Sequence, residues 1–307
     1  MQRDLGWNAV WEVAYAGSKG THLYEFREGN PIAPSSDPTA DSAPRRPFAA
    51  LGDLGDISYW CACNSSHYHS LQTKVEKRFS NNLSFLTAYT FGKAIDESSQ
   101  ASLGFASGGS ARNPIHPEWE KARADFDITH RFVNSLSYDV PIGKGKKFGS
   151  GMSSLADFLI GGWELQGIQS VNTGTPRTIR GHSLCNCTAD DRRPDRVVGV
   201  PLIPSNQSAS NWFNPAAFTD PAFGTFGNSG RNIISTATQV NIDTSLFKDF
   251  RITEGKKLQF RSEFFNMLNH PNFKSNSLNV NYYSASAGQF TAAWPSRQIQ
   301  FALKFIF

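Results

Sequence analysis

Residues 298–307 alternate between large apolar side chains and mostly polar or small ones, and this alternation constrains the fold more than any other feature. The apolar positions are Ile299, Phe301, Leu303, Phe305 and Phe307. Because successive side chains of a strand point to opposite faces, the segment predicts a strand with one face suited to lipid and the other to water. Alternating segments of about ten residues are typical of transmembrane β-barrel strands.

The same alternation recurs upstream, in segments separated by turns or polar loops. Two pairs of segments are typical of hairpins, residues 71–79 with 83–91 and residues 240–250 with 258–264. Less regular candidate strands are residues 7–16, 132–140 and 163–173, the last with a bulge expected near Gly167. We therefore predict an all-β fold in which about eight long antiparallel strands form a transmembrane β-barrel segment.

The lengths of the links orient the predicted sheet. Short links fall at 80–82 and 251–257 and a middling one at 142–161, whereas long polar links fall at 17–67, 94–127, 179–238 and 271–296. Outer-membrane barrels have short periplasmic turns and long extracellular loops. The long links are therefore predicted to be extracellular, and Phe307 is predicted to end at the periplasmic face.

The composition excludes several other classes of protein. No run approaches the roughly 18 to 20 apolar residues that a membrane-spanning helix needs, and a mean hydropathy of −0.39 with 13% aromatic residues indicates alternation rather than a soluble core. The net charge of +4 is scattered, so nucleic-acid binding is not supported. The N-terminal residues lack the apolar stretch of a secretory signal peptide, so we expect an exported protein to extend further upstream.

The last strand carries a candidate assembly signal. A barrel-ending strand with alternate aromatic residues and a terminal phenylalanine, here Phe301, Phe305 and Phe307, resembles the signal that the barrel-assembly machinery recognises. The alternative is an ordinary hydrophobic strand. We favour the assembly signal because the upstream strands have the same barrel pattern.

Nine segments resemble the Oar-like TonB-dependent transporters, and together they run over nearly the whole chain. They are YAGSKGTHL at 15–23, YHSLQ at 68–72, KRF at 77–79, AYTFGKAID at 88–96, DFDITHRF at 125–132, WFNPAAF at 212–218, FGNSGRN at 226–232, FFNMLNHPNF at 264–273 and RQIQFALK at 297–304. None of these segments is a catalytic motif.

The resemblance implies a barrel of roughly 22 strands closed around an N-terminal plug. Residues 1–307 would then be the C-terminal portion of that barrel, without the plug, the signal peptide or the segment that contacts TonB. The implied function is uptake of an unknown extracellular ligand through the outer membrane, energised by the TonB system. A surface barrel that serves adhesion or passive diffusion is the alternative, and neither function involves an enzyme site or a cofactor.

A piece cut from a larger barrel should be an open, curved sheet, because its two edge strands lack neighbours. Its two faces should differ in polarity, with an outward face in contact with lipid. We expect Phe260, Leu303 and Phe305 to face outward, and Arg261 and Lys304 to face inward.

Four cysteines form two Cys-x-Cys pairs, Cys61 with Cys63 and Cys185 with Cys187, both in predicted extracellular loops. An oxidising compartment favours disulfides. Pairing between the two loops is expected to be less strained than closure within a pair, although the sequence leaves the connectivity open. Four thiolates are also a possible soft-metal site, but no histidine stands at a typical ligand spacing, and we predict no metal.

Two polar groups invite functional hypotheses that we do not favour. His130 lies near Asp125, Asp127 and Ser135, as a hydrolase would require, but nothing places a nucleophile beside its base. Residues 190–195 include three aspartates, but their spacing is not that of an EF-hand calcium loop. We interpret both groups as polar residues of strand ends and solvated loops.

Overall fold

The computed structural model describes residues 1–99, 113–188 and 192–307, and nearly all of its regular structure is β. The strands are β1 Gln2–Gly6, β2 Ala9–Glu28, β3 Ser58–Ser80, β4 Leu83–Asp96, β5 Ala122–Arg123, β6 His130–Asp139, β7 Trp163–Asn172, β8 Pro176–Arg177, β9 Asp195–Arg196, β10 Phe218–Thr219, β11 Ile234–Ser235, β12 Gln239–Thr253, β13 Lys256–Phe265 and β14 Gln298–Ile306. One α-helix, α1, spans Ser154–Ile160, and the 3-10 helices are Ala43–Arg45, Ala49–Leu51, Pro117–Glu120, Pro215–Ala217 and Ser275–Ser277.

One large antiparallel sheet organises the molecule. Its strand order is β1-β2-β3-β4-β6-β7-β12-β13-β14, and the short β5 pairs with β4. Eight of these strands have nine or more residues, which confirms the predicted number of long strands. Among the described residues β1 and β14 do not pair with each other, so the sheet is open, as expected.

The two faces of the sheet differ sharply in polarity. Paired residues of neighbouring strands share a face, and Phe260 pairs with Leu303 while Gln259 pairs with Lys304. The apolar face therefore carries Phe260, Leu303 and Phe305, and the polar face carries Arg261 and Lys304, which confirms the predicted division. Leu303 remains 68% exposed. A continuous face of such side chains is unfavourable in water and is suited to lipid.

Strands β2 and β3 are longer than predicted. Their pairing continues from Ala9 with Lys77 to Glu28 with Ser58, so the predicted long link at 17–67 is only the segment 29–57. The upper part of this hairpin lacks regular apolar alternation, because backbone pairing continues above the level at which a strand must suit lipid. The predicted strand at 7–16 corresponds to the first part of β2, which begins at Ala9.

The first hairpin was not predicted. Trp7 and Asn8 both have positive φ and form the turn between β1 and β2, so Trp7 is not a strand residue.

The bulge expected near Gly167 is absent, since β7 pairs with both of its neighbours without a register shift. At the predicted turn after β3, Asn81 and Asn82 have φ values of 51° and 68°, as a two-residue hairpin turn requires.

Helix α1 lies in the link between β6 and β7, at the edge of the sheet that carries the short turns. The Ser153 side chain accepts a hydrogen bond from the Ala156 amide and caps the helix. Phe158 of α1 stacks obliquely against Phe250 of β12, with 4.8 Å between ring centroids. No helix in the described part of the chain is long and apolar enough to span a membrane.

Candidate functional site

The four long links leave the sheet at the same edge and form one loop assembly. We define it as residues 29–57, 97–99 with 113–129, 173–238 and 266–297, without the undescribed residues 189–191. The strands β5 and β8 to β11 lie within it. By the rule that outer-membrane barrels carry their long loops outside the cell, this is the extracellular edge.

The loop assembly has a hydrophobic core of its own. Its buried members come from the two C-terminal loops and are Ile179, Phe213, Ala217, Phe218, Ile234 and Leu278. The rings of Phe213 and Phe218 meet edge to face, with centroids 6.0 Å apart. Burial of each large side chain of this kind contributes about 1.5–3 kcal/mol, so these loops are held as a packed unit.

The loop at 29–57 packs against the loop at 173–238. The Arg45 guanidinium donates hydrogen bonds to the carbonyl oxygens of Ala33 and Asn186, at 2.7 Å and 2.6 Å. Gly224 adopts a φ of +80° and lies so close to Ser35 that a Cβ atom would overlap the Ser35 backbone. A glycine is required here by both its conformation and the approach of the two loops.

A network of ionic hydrogen bonds joins the loop at 113–129 to its neighbours. Arg231 contacts the Asp96 carboxylate and lies 3.4 Å from an Asp125 oxygen. Asp127, almost fully buried, accepts hydrogen bonds from the Ala94 amide at 2.7 Å and from Arg123 Nε at 2.8 Å. These buried charges are paired, as burial requires.

A polar pocket opens beside this network, with a cavity volume of about 470 Å³. Its lining residues are Asp125, Pro176, Arg177, Thr178, Arg180, Asn232, Leu278, Asn279, Val280 and Asn281. Two hydrogen bonds of a parallel bridge hold its walls together, from the Arg180 amide to the Val280 carbonyl and from the Tyr282 amide to the Arg180 carbonyl. The Thr178 hydroxyl and Asn232 exchange hydrogen bonds at 3.0 Å.

The two arginines of the pocket, Arg177 and Arg180, differ in burial. Arg177 is partly buried, and burial lowers the pKa of its guanidinium, an effect that the nearby Asp125 charge opposes. Arg180 is exposed at the pocket surface. Neither residue stands out in the sequence, because two arginines three positions apart do not distinguish a binding pocket from a solvated loop.

A second polar cluster lies two residues further along the same paired segments. Asp220 accepts a hydrogen bond from the Tyr282 hydroxyl at 2.5 Å and lies 3.0 Å from His182 Nδ1. Burial acts to raise the pKa of the Asp220 carboxyl, but the hydrogen bonds from Tyr282 and His182 outweigh it and hold that pKa below its usual range. Burial and the neighbouring Asp220 carboxylate raise the pKa of Tyr282. The His182 ring also stacks on Tyr283, with centroids 3.9 Å apart.

The cysteines pair within their own motifs, Cys61 with Cys63 and Cys185 with Cys187. The structure therefore differs from the expected pairing between loops. In both motifs the two Cα atoms are 5.2 Å apart, within the range that a disulfide bridges. Cys61 and Cys63 also lie in β3 and not in a loop, because β3 extends to Ser58.

The sulfur atoms of Cys61 and Cys63 lie near the Glu25 carboxylate, and these two atoms and a carboxylate oxygen are within 4.8 Å of one another. In the structure both sulfur atoms belong to the disulfide, and Glu25 pairs with Arg27 at 2.7 Å. A thiolate ligand is deprotonated and unbonded to other sulfur atoms. The oxidised pair is therefore not a metal site.

The candidate assembly residues lie at the end of the sheet. Phe301 and Phe305 belong to β14 and share its apolar face, and Phe307 follows the last strand residue and is 89% exposed. The rings of Phe305 and Phe307 are 5.8 Å apart. The three aromatic side chains therefore extend to the short-turn edge of the sheet.

The residues of the hydrolase hypothesis are not brought together. His130 and Ser135 belong to the same strand, β6, but lie on opposite faces of the sheet because an odd number of positions separates them. His130 Nδ1 lies 2.8 Å from the Tyr89 hydroxyl, and Asp127 accepts a hydrogen bond from Arg123. Asp190 and Asp191 of the calcium hypothesis lie outside the described residues.

A sheet with one lipid-suited face, one charged face, short turns at one edge and long loops at the other defines a transmembrane β-barrel protein. Comparison with known families agrees: the outer membrane beta barrel domain family matches residues 1–300, and the chain belongs to this family. It is accordingly a protein of the bacterial outer membrane.

Among solved structures, the chain is similar to the outer membrane transporter YddB from Escherichia coli, with 9% sequence identity and a TM-score of 0.46. The similarity covers 98% of this chain and 30% of the transporter, so the chain spans under a third of that structure's length. No curated protein sequence matches the chain.

Proposed function

We propose that the chain is the C-terminal part of the barrel of an Oar-like TonB-dependent transporter and that it takes up an extracellular ligand. The observation that carries the proposal is the loop assembly: a packed extracellular unit with its own core and a polar pocket, mounted on a sheet with one charged face. A loop assembly that only sealed the barrel would not need a pocket of ligand size. The resemblance of the nine sequence segments to Oar-like transporters supports the same function.

The open sheet supports the larger barrel. In hydrocarbon, the unpaired backbone groups of an edge strand each cost several kcal/mol, and both β1 and β14 are edges of the described sheet. We propose that further strands of the complete protein close the barrel around a plug. The plug would contact TonB, the barrel-assembly machinery would insert the protein through β14, and lipid would surround the apolar face.

The proposed role is transport and not catalysis. The acidic and basic side chains around Asp96, Asp127 and Arg231 form ion pairs with one another. This pairing supports a structural and not a catalytic role for them. A surface barrel for adhesion or diffusion is the competing function, because an ordered loop assembly would also suit it.

Two measurements test the proposal. The genomic DNA upstream of the Met1 codon should encode a plug domain and a signal peptide in frame, and an intergenic region there would contradict it. The full-length product should also bind the purified C-terminal domain of TonB in a pull-down, and it should lose this binding when the N-terminal segment is deleted. A full-length product that does not bind TonB would favour the surface barrel.

A further inference from the structure

Two positive charges converge on the pocket of the loop assembly without enough negative charge to balance them. Arg177 and Arg180 line the pocket, and Asp125 is the acidic residue among its lining. One Asp125 oxygen is already engaged, since it accepts a hydrogen bond from Asn232 Nδ2 at 2.6 Å and lies 3.4 Å from Arg231. The pocket is therefore electropositive.

The guanidinium groups of Arg177 and Arg180 form no hydrogen bond or ion pair with the described parts of the chain, 1–99, 113–188 and 192–307. Other arginines of the loop assembly do have partners within the chain. Arg123 and Arg231 pair with carboxylates, and Arg45 with carbonyl oxygens. A partly buried guanidinium such as Arg177 has lost hydration that a bound anion would replace.

The rest of the lining suits a molecule with hydroxyl groups. Asn281 adds a neutral amide side chain. The donors of Thr178 and Asn279 are engaged within the chain, but their oxygen atoms can still accept from a hydroxyl group, and Leu278 and Val280 supply a small apolar wall. The volume of about 470 Å³ lies within the range of about 300–1,000 Å³ typical of small-molecule sites. Arginine pairs with planar or tetrahedral oxyanions through two parallel hydrogen bonds.

We infer that this pocket binds a small hydroxylated molecule that carries an oxyanion, a sugar acid or a sugar phosphate, with Arg177 and Arg180 on the oxyanion and the asparagine and threonine side chains on the hydroxyl groups. The inference rests on the proposed function in that the bound molecule would be the transported ligand. Binding itself requires only the loop assembly and is tested without transport.

The experiment is calorimetric titration of the detergent-solubilised full-length protein with D-glucuronate, glucose 6-phosphate and glucose. At least one of the two acids should bind, and glucose should bind at least about ten-fold more weakly, because a hydrogen bond to a charged group is lost. The comparison of the two acids distinguishes a carboxylate from a phosphate ligand. Equal affinity for glucose and the acids, or binding of none, overturns the inference.

Variants locate the site. Arg177→Gln and Arg180→Gln should each weaken binding of the acid by about ten- to hundred-fold, whereas Arg251→Gln, which removes the same charge at the opposite edge of the sheet, should leave it unchanged. Arg180→Lys keeps the charge but not the paired donors, and it should bind with intermediate affinity. An unchanged affinity in Arg180→Gln overturns the inference even if Arg177→Gln fails to fold, because Arg180 is exposed.

Transport assays separate failure of the pocket from failure of the proposed function. Uptake of radiolabelled glucuronate or glucose 6-phosphate is measured in cells with and without TonB. Binding without TonB-dependent uptake supports the pocket and contradicts the transporter. Absence of binding in a protein that binds TonB contradicts the pocket and leaves the transporter standing.

Discussion

The sheet and the loop assembly bury their apolar side chains in different ways. Among the described residues, the largest fully buried side chains all belong to the loop assembly, and they are Phe213, Ile179, Asn30, Pro176, Pro194, Cys185 and Ser229. In the sheet, by contrast, Phe301 and Leu303 are each 68% exposed, and Leu71 is 49% exposed. One chain therefore contains a region that packs as a water-soluble domain does and a region that relies on lipid to cover its apolar side chains.

The difference follows from the solvent at each level of the molecule. A strand in hydrocarbon satisfies its backbone through its neighbours and presents apolar side chains to lipid. A loop in water gains nothing from exposed apolar groups, so it orders only if it can build a core. The comparison predicts that the loop assembly is destabilised by loss of a buried apolar side chain. The sheet is instead destabilised by a charge at an exposed position of its apolar face.

The largest effect is expected from Phe213→Ala. Phe213 has no exposed surface, and loss of a buried phenylalanine costs about 3–5 kcal/mol. The loop assembly should become sensitive to trypsin while the sheet keeps its heat-modifiable migration in electrophoresis. Phe223→Ala is the matched control, because Phe223 is 41% exposed in the same assembly. If Phe213→Ala unfolds loops and sheet together, the two regions are not independent.

A charge on the apolar face should have the next largest effect. Leu303→Arg places a charge near the middle of β14, at a cost of about 2–4 kcal/mol in a bilayer. Ala302→Arg makes the same addition one position away on the polar face, where the cost should be much smaller. The free energy of unfolding in lipid vesicles, from urea titration, measures both. Equal losses at the two positions would contradict the division of the faces.

A smaller change in stability is expected at the end of the last strand. Phe307→Lys lies near the membrane interface, where a charge costs about 0–1 kcal/mol, so the finished barrel should remain stable. If Phe307 completes an assembly signal, the amount of protease-resistant barrel in outer-membrane fractions should still fall strongly. Lys304→Gln on the polar face is the control, and an unchanged yield of Phe307→Lys would leave Phe307 as an ordinary strand-end residue.

The smallest effect concerns pH and the loop assembly alone. The pKa of Asp220 is lower in the folded protein than its ordinary value of 3.8. The ionised carboxylate therefore contributes stability that is present above this ordinary value and is lost as pH falls through the lower folded pKa. Loop protease resistance should decline in that acidic window, and Asp220→Asn should remove this part of the decline. An identical acid profile for Asp220→Asn would refute the contribution.

The sheet could be predicted from the sequence because its signal is local. Period-two alternation in residues 240–250 and 298–307 depends only on which face each side chain occupies, and the structure places both segments in long strands. The upper parts of β2 and β3 were missed because they lie beyond the alternating pattern. Their pairing depends on the backbone of the neighbouring strand, which no local pattern reveals.

The loop assembly could not be predicted because its contacts are distant in sequence. Ile179 and Phe213 come from distant parts of one link and Leu278 comes from the next, and all three meet in one core. In the sequence Ile179 and Phe213 stand among polar residues and prolines without periodic apolar neighbours, and the alternation of Leu278, Val280 and Tyr282 is too short to indicate a core. The pocket could not be predicted for the same reason, since Arg177 and Val280 become neighbours only when that core forms.

The most direct test of the account is the environment of successive β14 residues in a bilayer. Single nitroxide labels are placed at 301, 302, 303 and 304 in a variant whose four native cysteines are replaced by serine, and collisions with oxygen and with a water-soluble nickel complex are measured. Labels at 301 and 303 should favour oxygen, which dissolves in lipid, and labels at 302 and 304 should favour the nickel complex. Equal accessibility to the nickel complex at all four positions would contradict a lipid-facing sheet.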